Sequence, residues 1–121
     1  MAFETMFEPL ETGSYFDYVA IYSESITEAI EDGLLVEFDY KGFHRIVEPY
    51  ELGQTIRDDY LLRGFQIGGE SFGRRVEGWK LFRLDYISHL EVSDEEFVPQ
   101  ADYWVLPEYW TNKPIIVLRR K

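Results

Sequence analysis

At Leu34 the apolar pattern takes up a two-residue period and keeps it. Leu34, Val36, Phe38 and Tyr40 alternate with Leu35, Glu37 and Asp39, Lys41-Gly42 is a compact turn, and residues 43 to about 52 run back. Alternation sends successive side chains to opposite faces of a sheet, and a two-residue connection makes the two strands antiparallel. Three further strand segments follow, at residues 60 to about 67, 76 to 84 and 86 to 92, with a glycine-rich connection from Gly68 to Gly73. Five short strands, mostly joined by tight turns, predict a mainly β chain: a strongly bent antiparallel sheet or a small barrel. The chain has 121 residues, 45% of them hydrophobic and 17% aromatic, so it is one domain with enough apolar surface for a core. Val36, Phe38, Val47, Phe65, Phe82 and Ile87 are the expected core residues.

Ahead of the strands, Ser25-Ile26-Thr27-Glu28 fits a capping box, Ile26, Ala29 and Ile30 share a helical face, and Gly33 supplies a stop. One short amphipathic helix is expected there. Residues 1–22 mix rings and acids without a clean period and are broken at Thr12-Gly13-Ser14, which predicts an irregular N-terminal arm. Residues 23–92 form the expected barrel. Residues 93–121 form an extension packed on it, first acidic, then aromatic (Tyr103, Trp104, Tyr109, Trp110), ending in a further strand around Pro114 to Leu118.

The net charge of −11 is unevenly spread. Residues 1–39 hold ten acids and no Lys or Arg, whereas residues 40–89 hold eight bases against seven acids. An acidic envelope repels polyanions, so binding to duplex DNA by the chain alone, or to an anionic membrane, is not expected. The first residues lack a basic and apolar leader pattern and no apolar run reaches membrane-spanning length, so the expected location is the cytoplasm. With no cysteine, thiol chemistry and Cys-ligated zinc drop out.

Few motifs point to catalysis. His44 and His89 form no helical i, i+4 pair and show no metal-ligand spacing, Asp94-Glu95-Glu96 lacks the alternating ligands of a calcium loop, and Ser88-His89 has no nucleophile elbow around it. Gly68 to Gly73 has the glycine spacing of a phosphate loop, but Arg74-Arg75 follows where Lys-Ser/Thr belongs and the flanks read as strands, so a hairpin loop is expected. No cofactor, no metal and no enzymatic activity are expected.

One pattern remains. Closing the hairpin at Lys41-Gly42 pairs Tyr40 with Phe43, Phe38 with Arg45 and Val36 with Val47, which sets Arg45 on the apolar face. Arg63 shares a face with Leu61, Phe65 and Ile67, and Lys80 with Val76, Phe82 and Leu84. A cation among apolar neighbours is costly unless it is paired, reaches water along its stem, or lines a wet pocket. Structural salt bridges and a concave site for an anion are both open at this point.

Taken in order, these elements resemble the WYL domain family. Its helix and Tyr-ended strand correspond to residues up to Ile30 and Tyr40, its Arg-x-Val-x-Pro element is matched by Arg45-Ile46-Val47-Glu48-Pro49, and its name-giving strand stands at Tyr60-Leu61-Leu62-Arg63-Gly64-Phe65. Lys80-Leu81-Phe82-Arg83-Leu84-Asp85-Tyr86-Ile87 stands at its last motif. Tyr60 and Leu61 replace the family's Trp and Tyr, Lys80 replaces an Arg, and Tyr86 replaces a second Arg. The resemblance implies an SH3-like or Sm-like five-stranded barrel that senses small molecules or nucleic-acid fragments, in transcription regulation or bacterial defence. With no room for a winged helix in the first 24 residues, the expectation is a stand-alone, non-enzymatic ligand-sensing module. Tyr40, Arg45, Tyr60, Arg63, Lys80 and Arg83 are its candidate ligand-binding residues, for a small anionic ligand, a nucleotide or a short single-stranded nucleic acid. The alternative is a protein-interaction module or adaptor, docking a protein partner or a second copy through the barrel and its aromatic tail.

Overall fold

The computed structural model describes residues 11–55, 57–71, 76–103 and 114–117. One helix, α1 (Glu11–Asp32), precedes five strands: β1 (Leu34–Tyr40), β2 (Phe43–Gln54), β3 (Tyr60–Gly69), β4 (Gly78–Arg83) and β5 (Ile87–Glu96). A 3-10 turn at Leu84–Tyr86 joins β4 to β5, and a short β6 (Pro114–Val117) follows. All pairings are antiparallel and the strand path is β4-β3-β2-β1-β5, with β6 beside β2. This is an open sheet: among the described residues no pairing joins β4 to β5.

The hairpin register is the expected one, with Tyr40 opposite Phe43, Phe38 opposite Arg45 and Val36 opposite Val47. Its turn has Lys41 at φ 54° and Gly42 at φ 83°, the backbone of a type I′ connection, whose twist matches that of the flanking strands. β2 is the spine. Its first half lies between β1 and β3, and its second half exchanges β1 for β6 at Glu51 to Gly53.

The helix differs from expectation. It already includes Thr12-Gly13-Ser14, so residues 11–22 are helical rather than an irregular arm, and Ser25 sits mid-helix rather than at a cap. The cause is tertiary: Val19, Ile26, Ala29 and Ile30 are buried at helical spacing, with Tyr18 and Tyr22 packed beside them, and burial of that stripe outweighs the poor local propensity. Gly33 ends the helix as expected, at φ 68°. Residues 1–10 lie outside the described part.

Val36, Phe38, Val47, Phe82 and Ile87 are fully or almost fully buried. Phe65 instead packs half-buried against the core, because β3 turns Leu62 and Gln66 to the fully buried side and Leu61, Arg63, Phe65 and Ile67 to the other. That other side is itself covered. Tyr50, Trp79 and Tyr103 cluster there with ring centroids 4.6 to 5.8 Å apart, and Phe65 meets Trp79 at 5.2 Å. Residues 97–103 are tied down by Gln100, whose N–H donates to the Tyr50 hydroxyl at 2.7 Å, and by the Tyr50 hydroxyl donating to Glu48 Oε1 at 2.8 Å. Both faces of β3 are therefore covered.

Candidate functional site

The six candidate residues go to three places. Arg45, Lys80 and Tyr40 meet at an open basin of about 490 Å³, lined also by Lys41, Ser71, Leu81 and Phe82. Arg63 lies on the other face of β3. Arg83 and Tyr60 lie toward a separate acidic cleft.

Arg45 is brought inward by the hairpin register and is only 4% exposed. Its Nη1 donates to Gln66 Oε1 at 3.2 Å and to Ser71 Oγ at 3.4 Å, and its Nη2 donates to the Tyr40 carbonyl at 3.1 Å. The guanidinium stands over the rings of Tyr40, Phe43 and Phe82 at 5.6 to 5.8 Å, while its Nε is buried without a hydrogen-bond partner. Every hydrogen-bond partner of this buried cation is neutral. Lys80 Nζ donates to the same Ser71 Oγ at 2.7 Å, so one hydroxyl oxygen bridges two positive heads. Burial pushes the pKa of both cations down, and the Lys80 ammonium is lowered further by Arg45. Bringing a negative group into the basin opposes both effects.

Tyr40 is 8% exposed, packs edge-on against Phe82 at 4.9 Å, and accepts the Arg83 backbone N–H on its hydroxyl at 3.1 Å, so it forms the floor of the basin.

Arg63 does not converge with Arg45. Its Nη1 donates to Glu51 Oε2 at 2.9 Å, and its guanidinium lies over Trp79 at 4.5 Å. Glu51 is fully buried and also accepts the Tyr103 hydroxyl at 2.9 Å. Burial and that carboxylate push the Tyr103 phenol pKa up. Here the structural salt bridge accounts for the cation.

Arg83 is bound between Asp85, at 2.7 Å, and Asp59, at 3.4 Å, with its guanidinium over Tyr86 at 4.7 Å. The Asp85 hydrogen bond raises its pKa. Tyr60 lines a cleft of about 370 Å³ together with Glu24, Asp58, Asp59 and Asp85, a setting that repels anions.

Two participants escaped the sequence, Gln66 and Ser71. The available signal was a lone polar side chain in phase with Leu62 on β3. Gly68 and Gly69 belong to β3, and the next described element in the chain is the strand β4. Gly69 sits at φ 83°, where any side chain would collide with the His44 carbonyl, and the Glu70 N–H donates to that carbonyl at 2.7 Å. This latch carries Ser71 over the basin.

The imidazoles lie elsewhere. His44 holds Asp39 through Nδ1 at 3.0 Å and Glu37 through Nε2 at 2.9 Å, and His89 Nδ1 meets Asp39 at 3.1 Å. Among the described residues no group of three or more His, Asp or Glu is placed to hold a metal ion. The Glu37 and Asp39 hydrogen bonds raise the His44 pKa, and the His44 bond lowers that of Asp39. The His44 contribution to stability is therefore full below the unfolded imidazole value and is lost as pH rises through the folded one. That of Asp39 is present above its unfolded value and is lost as pH falls through the folded one. An NMR titration should put the His44 midpoint above 6.5, and Asp39→Asn should move it down; an unmoved midpoint would show that the contact is absent in solution.

Compared with known proteins, the chain matches no family model, no curated protein and no solved structure. Among the described residues no helix is long and apolar enough to cross a membrane.

Proposed function

We propose that this protein is a non-enzymatic sensing module that captures a small anionic group, a phosphate or carboxylate borne by a nucleotide-like ligand or a short single strand, in the basin of Arg45 and Lys80. The observation that carries this is the almost fully buried Arg45 guanidinium whose hydrogen-bond acceptors are all neutral, in a chain of net charge −11 where Arg63 and Arg83 both have carboxylates. A buried cation without a counter-ion is costly, and an anion arriving through an open basin removes that cost. The order of elements that resembles the WYL family supports the same reading. Arg45 to Pro49 runs along β2 and Lys80 to Ile87 leads from β4 into β5, so Arg45 and Lys80 come from the two matched motifs. Arg63 and Arg83 are left out of the basin. The aromatic-tail alternative loses one of its rings, because Tyr103 is buried in its own chain, and Trp104, Tyr109 and Trp110 lie outside the described residues.

Isothermal titration with inorganic phosphate, nucleotides and short oligonucleotides tests this. Arg45→Ala should weaken whichever anion binds by about 1.5–3 kcal/mol per lost charge-assisted bond, with Lys80→Ala acting in the same direction. Binding that is indifferent to both substitutions would overturn the proposal. Long duplex DNA should not bind tightly at physiological salt, since the ten acids of residues 1–39 oppose a polyanion. Nanomolar duplex binding that weakens steeply with added salt would contradict this.

A further inference from the structure

The geometry points to Gln66 as the specificity-determining residue of the basin: its neutral amide holds Arg45 in place without cancelling its charge, and so keeps the site receptive to a compact dianion such as a terminal phosphate or a sulfate. This rests on the anion-binding reading above. Gln66 is fully buried, so its amide answers to protein groups alone. Its Nε2 donates to the Gly68 carbonyl at 2.9 Å and to the Glu70 carbonyl at 2.9 Å, which uses both amide hydrogens. That leaves Oε1 as the atom facing Arg45 Nη1, at 3.2 Å.

A glutamate has nearly the same shape and would give Arg45 a carboxylate, as Glu51 does for Arg63 and Asp85 for Arg83. It would also take the amide donor away from the Gly68 and Glu70 carbonyls, the latter next to the Ser71 hydroxyl that bridges Arg45 and Lys80. One amide thus anchors the segment carrying Ser71 and withholds a counter-ion from Arg45. The charge is met by neutral oxygens and three ring faces, weaker partners than a carboxylate, so an incoming dianion still gains from it.

Sulfate is a suitable probe because it stays a dianion through the neutral and mildly acidic range. Among the described residues the charged and titratable groups lining the basin are Arg45 on β2, Lys80 on β4, and Lys41 and Tyr40 at the hairpin turn. All are shared by the wild-type chain, which serves as the reference. The full-length protein should bind sulfate saturably by NMR, with the Gln66 side-chain amide resonances shifting along the same isotherm. Gln66→Glu should lower sulfate affinity at least about tenfold near pH 7.5, the scale of one charge-assisted bond, whereas Gln66→Met, of similar size and without charge, should bind sulfate more tightly than Gln66→Glu. A role in packing alone would not rank the two variants by charge. If the wild type binds sulfate but Gln66→Glu binds it equally well, or the Gln66 amide resonances stay still, the assignment of Gln66 is overturned while the basin stands. Where that variant does not fold, those wild-type resonances decide the matter. No saturable binding by the wild type overturns the basin and Gln66 together.

Discussion

Phe82→Ala should lower folding stability by about 3–5 kcal/mol, the range for removing an enclosed aromatic ring. The ring is 1% exposed and meets both Phe38 and Tyr40 edge-on at 4.9 Å. Its far side faces the Arg45 guanidinium at 5.8 Å, so the cavity left by truncation opens beneath the basin. Native domains are stable by only about 5–15 kcal/mol, which makes this a large fraction of the total. Urea denaturation gives the measurement: the midpoint should fall with little change in slope. A loss below about 1 kcal/mol would mean that the surrounding side chains collapse to refill the space.

Phe82 was legible as core because its neighbours Leu81 and Arg83 turn outward on β4, as Glu37 and Asp39 do on either side of Phe38 on β1. The hairpin was legible down to its register, since a two-residue turn leaves no freedom in which residues face each other. That register alone placed Arg45 inward. β3 defeated the same reasoning. Both of its faces are covered, one by the main core and the other by Tyr50, Trp79 and Tyr103, so a period of two says which residues travel together without saying which set is enclosed. Arg63 was thereby grouped with Arg45, and Gln66 was passed over. The helical residues ahead of Ser25 were missed for a related reason: Tyr18, Val19 and Tyr22 join a core built by residues far along the chain, which local propensity does not report.

The grouping error gives the sharpest remaining test, because the fold now assigns opposite consequences to two arginines. Arg63→Ala should cost about 3–5 kcal/mol in stability, the range for removing one partner of a buried ion pair. Glu51 is fully buried, and without Arg63 its carboxylate keeps the Tyr103 hydroxyl but loses the adjacent positive charge. The guanidinium also fills space over Trp79 at 4.5 Å, so truncation opens a gap in the aromatic cluster that holds residues 97–103. Anion affinity at the basin should be unchanged in the folded fraction, since Arg63 packs on the other face of β3 against Glu51, Trp79 and Tyr103. Arg45→Ala should do the reverse to binding, abolishing most of it. Removing that cation strands no carboxylate, and the stability cost comes from lost packing against Tyr40, Phe43 and Phe82. Melting temperature and sulfate affinity measured on both variants separate the roles. A weaker sulfate isotherm in Arg63→Ala at unchanged stability would return Arg63 to the binding site and contradict the pairing with Glu51.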